Sequence, residues 1–267
     1  MNDSLLTLAR RVTAEAAERA ARARREGVEL TGLKSTPTDV VTRADQETEA
    51  YLVSELLRAR PDDGILGEEG EGVASTSGLT WVIDPIDGTV NYLYDIPAWA
   101  VSVAVVEGDP DPATWRTLAG CVVNPLAREM YAAAAGVGAT LNDRPLELEP
   151  RSELASALVA TGFAYAAERR LEQAAIAARV IGRVRDLRRM GAASLDLCGV
   201  AAGRLDAYWE TGLHPWDHAA GALIAREAGA VVSGLEAGSR EGWAFTLAAN
   251  PGLAEQIRMM LFSSGAP

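Results

Sequence analysis

Trp81-Val82-Ile83-Asp84-Pro85-Ile86-Asp87-Gly88-Thr89-Val90-Asn91 is the stretch from which the rest of the 267-residue chain is read. Residues 81–83 predict the end of a buried β-strand. Asp84 and Asp87 then flank a proline, and Gly88-Thr89 opens the next segment. Pro85 removes a backbone donor and fixes φ, while Gly88 has access to backbone angles closed to other residues. The expected product is a rigid corner with two carboxylates on one side and free N–H groups just beyond. Grouped carboxylates suit a hard cation such as Mg²⁺, and free N–H groups at a helix start suit a phosphate. Taken alone, Asp-Pro and Asp-Gly are also ordinary turn pairs.

Two further acidic clusters weigh against the turn reading. Gly67-Glu68-Glu69 lies upstream and Trp216-Asp217-His218-Ala219-Ala220-Gly221 downstream. With Asp84-Pro85-Ile86-Asp87-Gly88-Thr89 they resemble, in order, the three signatures of the inositol monophosphatase family, Mg²⁺-dependent and lithium-sensitive phosphomonoesterases. The similarity runs from about residue 30 to residue 235. It implies a layered αβαβα sandwich of the inositol monophosphatase/fructose-1,6-bisphosphatase type, α+β in one part and α/β in the other. Residues 1–267 are then one phosphatase domain of two closely packed halves. Residues 1–150 carry most of the metal motifs; residues 151–267 carry the last metal aspartate and the substrate-side groups.

Composition bounds the function. Apolar residues make up 48 %, an ordinary globular share, and the net charge is −12. Nucleic-acid binding wants a basic face, so that balance speaks against it. Cys121 and Cys198 stand far apart in apolar runs and read as reduced core residues. No apolar run approaches membrane-spanning length, and the segment before residue 28 is too rich in Arg and Glu for a signal peptide. A cytoplasmic protein without membrane or nucleic-acid partners is expected.

Along the chain, Leu5, Leu8, Val12 and Ala16 predict an amphipathic helix over residues 3–26. Residues 34–39 read as a loop, 40–42 as a strand, and Asp45 as the start of a second helix. Strands are predicted at 64–69, 79–83, 100–107, 118–124 and 129–134, with a turn and one more short strand within 136–148. This half is a helix pair on a largely antiparallel sheet. The second half alternates: strands at 157–161, 205–209, 231–233 and 245–248, and helices at 168–184, 194–202, 215–228 and 251–261. Ser194 is expected to cap its helix, and Pro215 suits the first turn of the next.

The resemblance assigns the chemistry. Glu68, Asp84 and the carbonyl of Ile86 hold a first Mg²⁺; Asp84, Asp87 and Asp217 hold a second; Glu68 helps bind a third, weaker ion through water. The nucleophile is a metal-activated water held by Glu68 and Thr89, and the Thr89 hydroxyl passes a proton to Asp45. The phosphate sits on the N–H groups of Gly88 and Thr89. Glu210 matches a position that binds a ring hydroxyl, and Ala192, Ala193 and Ser194 match a segment facing the polyol. Structural explanations stand beside these: Asp45 and Asp217 suit helix starts as carboxylates, and Trp209 and Trp216 suit either a pocket wall or the core.

Two features depart from the family pattern. Asp95 occupies a loop that is often more basic, and residues 183–189 carry Arg183, Arg185, Arg188 and Arg189. Such a run reads as a solvated face or as a site for a second phosphate. The expected function is Mg²⁺-dependent hydrolysis of a small phosphorylated metabolite, first myo-inositol 1-phosphate, by a homodimer. Histidinol-phosphate or fructose-1,6-bisphosphate hydrolysis is the alternative within the family. A 3′-phosphonucleotide ranks last, because it asks for an aromatic slot and a larger chain. A non-catalytic regulatory or partner-binding protein is the alternative of another class.

Overall fold

Apolar residues at helical spacing produce α1 (Asn2–Glu26), with Leu5, Val12 and Ala16 buried. The computed structural model describes residues 2–33, 40–70, 72–236 and 238–266; residues 34–39, which the sequence reads as a loop, lie outside them. β1 (Leu30–Leu33) and β2 (Val40–Thr42) pair antiparallel. α2 (Arg43–Ala59) follows at once, starting two residues before Asp45 because Thr42 supplies the N-cap. Next come β3 (Gly64–Gly67), β4 (Leu79–Asp87), α3 (Thr89–Leu93), β5 (Ala100–Glu107), β6 (Arg116–Asn124) and β7 (Glu129–Ala134). β8 (Gly138–Leu141) and β9 (Arg144–Leu146) close that half as a hairpin.

The second half holds β10 (Leu158–Thr161), α4 (Ala167–Val180), β11 (Asp186–Arg188), α5 (Ala193–Ala201) and β12 (Ala207–Glu210). It ends with α6 (Pro215–Glu227), β13 (Val231–Ser233), β14 (Thr246–Ala249) and α7 (Ala254–Ser263). β3 to β9 form a seven-stranded sheet in sequence order, antiparallel except for the β3–β4 pair. The other sheet has the order β11-β10-β12-β14-β13, with β10 parallel to both of its neighbours.

Strand period two divides the larger sheet into two apolar faces. Ile83, Val101, Val103 and Val105 pack under Leu5, Val12, Leu52 and Leu56 of α1 and α2. Val82, Ala104 and Val122 face Leu197, Leu223 and Ile224 of α5 and α6, which also cover Tyr208 and Ala248 of the smaller sheet. Val159 and Trp209 on the far side of that sheet pack against α4 and α7 through Ile176, Val180, Ile257 and Met260. The layers are therefore α1/α2, seven strands, α5/α6, five strands, α4/α7: the αβαβα order. Each fully buried Leu, Ile or Val contributes about 1.5–3 kcal/mol. α6 comes close because it is small where it crosses; a Cβ on Gly221 would stand 2.8 Å from the Leu197 Cβ.

Several boundaries depart from the sequence reading. β4 runs on through Asp84 and Asp87 because a bulge absorbs Pro85, which could not donate to a regular ladder. Residues 186–188 form an edge strand, which tolerates the charges that made them read as surface. Ser194 does not cap α5; Ala192 is the N-cap, and the Ser194 hydroxyl goes to Asp87. Trp209 is core.

Candidate active site

Strand alternation would send residues three apart to opposite faces. The bulge between Asp84 and Asp87 cancels that alternation, and both carboxylates reach one cavity of about 410 Å³. Glu68, just past the end of β3, and Asp217, in the first turn of α6, line the same cavity. Ile86, Gly88, Thr89, Ala192, Ala193 and Glu210 line it too. Asp45 stands behind it, fully buried. The structure thus brings Glu68, Asp84, Asp87, Thr89, Glu210 and Asp217 to one cavity, while Trp209 and Asp95 stay out of its lining.

Asp45 closes a capping box with Thr42: one of its oxygens accepts from the Thr42 backbone N–H at 2.8 Å. Its other oxygen lies 3.2 Å from the Thr89 hydroxyl, which is also 3.1 Å from the Ile86 carbonyl. The structural and the chemical readings of Asp45 therefore use different oxygens of one carboxylate. Gly88 holds the corner at φ 90°, and a Cβ there would meet the Ala98 and Gly191 carbonyls at 3.0 and 3.1 Å. Asn91 ties this corner to the second half, donating to the carbonyls of Ala98 at 2.6 Å and Met190 at 2.8 Å.

The two central helices aim their N-termini at the carboxylates, where the positive ends of helix dipoles favour negative charge. Asp87 accepts the N–H groups of Ala193 at 3.2 Å and Ser194 at 2.7 Å. The Ala193 N–H is thereby committed to Asp87. Asp217 accepts the His214 N–H at 2.6 Å.

Burial raises the Asp84 pKa well above the usual carboxylate range, and the charges of Glu68, Asp87 and Asp217 push it further. Asp84 and Glu68 also share a side-chain hydrogen bond. Asp217 is raised for the same reasons, burial first and then Glu68 and Asp87. Burial raises Asp87 to about 6 against the opposing hydrogen bonds from Ser194. Glu210 is raised to about 7 by burial, while the Tyr208 hydroxyl, donating at 2.6 Å, and Arg189 oppose the shift.

Among the described residues, no three acidic, histidine or cysteine side chains converge as a ready-made ion site. Their first partners are each other and the helix ends. Each ionised carboxylate offers about four lone-pair positions, so these bonds leave acceptor capacity on all four groups. Crowded hard-oxygen donors whose ionised forms repel one another fit a hard divalent cation by their chemistry.

Sequence reading overlooked two parts of the site. Glu49, one turn beyond Asp45 on α2, is 6 % exposed and accepts the Glu69 N–H at 2.9 Å. It also takes backbone bonds from Glu68 and Gly70. A Cβ on Gly67 or Gly70 would stand 2.8 or 2.7 Å from its oxygens. Two carboxylates at i and i+4 on a buried helix face are the signal that could have found it. Glu49→Ala, by leaving those N–H groups unpaired, is expected to cost about 1–3 kcal/mol and to raise the Mg²⁺ concentration needed for half-maximal stabilisation. Thermal melts across a Mg²⁺ series check this; an unchanged midpoint would mean that Glu49 does not position Glu68.

The other part is Trp243, which completes an aromatic wall with Trp216, already a candidate wall in the sequence, and His214. His214 stacks on Trp216 at 4.9 Å and 7°, and Trp243 meets the other side of His214 edge-on at 4.8 Å. All three line the cavity. Asp95 turns away towards Arg24 at 3.5 Å, and His218 is buried, with neither ring nitrogen hydrogen-bonded among the described residues and its pKa lowered to about 4 by burial. Cys121 and Cys198 are both free and buried.

Carboxylates gathered from both halves of an αβαβα sandwich, with a threonine–aspartate pair beside them, define a phosphoric monoester hydrolase. The chain belongs to the inositol monophosphatase family, whose model matches residues 1–261. It is 49 % identical over 235 residues to "Inositol-1-monophosphatase SuhB" of Mycobacterium tuberculosis, covering 84 % of this chain and 78 % of that protein. It is 36 % identical to "Nus factor SuhB" of Vibrio cholerae, covering 88 % and 86 %. The solved Mycobacterium tuberculosis SuhB superposes with a TM-score of 0.83 at 43 % identity, covering 99 % of this chain and 98 % of that one. SaIMPase-II with inositol monophosphate bound superposes with a TM-score of 0.78 at 28 % identity, covering 96 % and 92 %. The same protein has been solved with 2′AMP bound (TM-score 0.79, 28 % identity, covering 96 % and 93 %). Among the described residues no helix is long and apolar enough to cross a membrane.

Proposed function

We propose that the chain is a Mg²⁺-dependent phosphomonoesterase of small polyol or sugar phosphates, with myo-inositol 1-phosphate its first substrate. The observation that carries the reading is the grouping of Glu68, Asp84, Asp87 and Asp217 on one cavity, beside the hydrogen-bonded Thr89–Asp45 pair. The name of the Mycobacterium tuberculosis relative supports the inositol substrate.

Glu68, Asp84 and the Ile86 carbonyl would hold one Mg²⁺ and Asp84, Asp87 and Asp217 a second, with Glu68 contributing to a third. Bound there, the ions supply charge neutralisation on the phosphoryl group and a lowered pKa for the attacking water. Thr89 would orient the attacking water and relay a proton from it to Asp45, whose other oxygen is pinned by Thr42. Gly88 and Thr89 present N–H groups to the phosphate. Glu210 accepts from a ring hydroxyl, with Ala192 and Ala193 forming the floor under the ring. For histidinol phosphate only Glu210 remains to meet the amine, since Asp95 is turned to Arg24.

A nucleoside monophosphate is the second reading. Trp243, His214 and Trp216 supply the aromatic face that it requires, and SaIMPase-II has been seen with 2′AMP. The Vibrio cholerae relative's name supports a partner-binding role instead; a protein with only that role has no use for Asp45, Glu68, Asp84, Asp87, Thr89 and Asp217 together.

The test is phosphate release from inositol 1-phosphate, histidinol phosphate, fructose 1,6-bisphosphate and a 3′-phosphonucleotide, with Thr89→Ala and Thr89→Ser alongside. Thr89→Ala is expected to lower kcat by about 10²–10³-fold on the substrate that is turned over, and Thr89→Ser by less than about tenfold. Thr89→Ala with unchanged turnover sinks the proton relay. No release from any of the four sinks the substrate class.

A further inference from the structure

The acidic cavity carries two cations that no carboxylate among the described residues pairs with. Arg169, in the first turn of α4, and Arg189, just past β11, both line it. Neither makes an ion pair or hydrogen bond among the described residues. The arginines around them are all engaged. Arg170 donates to the Ala164 carbonyl at 3.1 Å, Arg183 to the Ser263 hydroxyl at 3.1 Å and Arg185 to the Ser156 carbonyl at 2.7 Å. Arg188 pairs with Asp186 at 2.6 Å. A solvated or structural basic run explains those four and leaves Arg169 and Arg189 over.

Their setting suits an anion. The Arg169 guanidinium lies over the Trp243 ring at 5.0 Å, and a Cβ on Gly212 would stand 3.2 Å from two of its nitrogens. A guanidinium held over an aromatic face keeps its in-plane N–H donors for a third party. Arg189 approaches the backbone of Gly191, the residue before the Ala192–Ala193 floor, so closely that a Cβ there would stand 2.5 Å from its Nη1. Its field reaches Glu210 and Asp196 without an ion pair to either. Guanidinium groups pair with phosphate or carboxylate through two parallel N–H bonds, more strongly than a neutral donor does.

We propose that Arg169 and Arg189 form a second anion subsite in this cavity, which admits small ring phosphates bearing a second anionic group besides the phosphate that is cleaved. The inference rests on the phosphomonoesterase reading of the same cavity and narrows its substrate class.

The experiment compares wild type, Arg169→Gln, Arg189→Gln and Arg169→Lys on three ligands. Fructose 1,6-bisphosphate carries a second phosphate, glucuronic acid 1-phosphate a carboxylate, and inositol 1-phosphate neither. Each glutamine variant is expected to raise KM for the first two about tenfold or more beyond any change for inositol 1-phosphate, with kcat within about twofold for Arg169→Gln; Arg169→Lys recovers part of the loss. An effect on the bisphosphate alone assigns the subsite to phosphate, and an effect on both assigns it to anions in general. Equal effects on all three ligands, or none, overturn the proposal. Calorimetry of the same ligands in an Asp45→Asn background reads the subsite apart from turnover. Should the wild type cleave none of them, the phosphatase reading fails, while selective weakening of the doubly anionic ligands still upholds the subsite and its absence overturns it.

Discussion

Asp84→Asn is expected to lower phosphate release by about 10³-fold and at the same time to raise the Tm of the metal-stripped protein. The first effect follows from removing the carboxylate that would serve both proposed ions. The second follows from where Asp84 sits. It is 1 % exposed, and burial and three neighbouring acids all press it towards its protonated form. Asparagine keeps the shape, removes the charge, and can donate to Glu68, which already shares a hydrogen bond with Asp84. Asparagine is neutral at every pH, so where Asp84 would ionise the variant is spared the repulsion that a cation would otherwise relieve. Melts in EDTA and a phosphate-release assay check both halves. A variant that is inactive and also less stable without metal would mean that the carboxylates are held by packing and not strained by their charges.

The metal-stripped protein is also expected to lose stability as pH rises from about 5 to 8. Asp87 and Glu210 titrate at about 6 and about 7 in the folded chain, above their ordinary values of 3.8 and 4.5, and Asp84 and Asp217 are raised further. The folded state therefore binds more protons than the unfolded one across that window. By linkage, the stabilising contribution is complete below the unfolded pKa values and is lost as pH climbs through the folded ones. For Asp87 alone the loss across that window is on the order of 1.5 kcal/mol, the rest having gone below pH 5, a Tm change of roughly 3–6 °C. Mg²⁺ competes with the same protons, so its stabilisation should grow over that range, reaching about 2.7 kcal/mol at a hundred times its Kd. Scanning calorimetry at pH 5, 6.5 and 8, with EDTA or Mg²⁺, measures this. A Tm in EDTA that rises with pH contradicts it.

The parts of the site legible in the sequence were those fixed by local chemistry. Pro85, Gly88 and the acids on either side need a bulge and a left-handed residue, and both are present. Pro215 opens α6, as helices prefer. Tertiary choices were not legible. Trp209 and Trp216 look alike in sequence, yet one lies in the core and the other on the cavity, because strand parity and a helix start point them differently. Asn142 and Asp143, at φ 48° and 65°, turn what read as one short strand into a hairpin. Trp243 lies in an irregular segment with no period to read, so its contact with His214 emerges only from the fold. Ser194 at a helix start invited a capping role; burial beside Asp87 gave its hydroxyl a stronger, charged acceptor.

The central claim is that Glu68, Asp84, Asp87 and Asp217 act as one cation-dependent hydrolytic centre. Phosphate release from inositol 1-phosphate, followed as Mg²⁺ is titrated into metal-stripped protein, tests it most directly. The account predicts no release without the ion and saturable turnover with it, at concentrations that also raise Tm. Release that is independent of Mg²⁺, or Mg²⁺ that stabilises the fold while no phosphate appears, would contradict it.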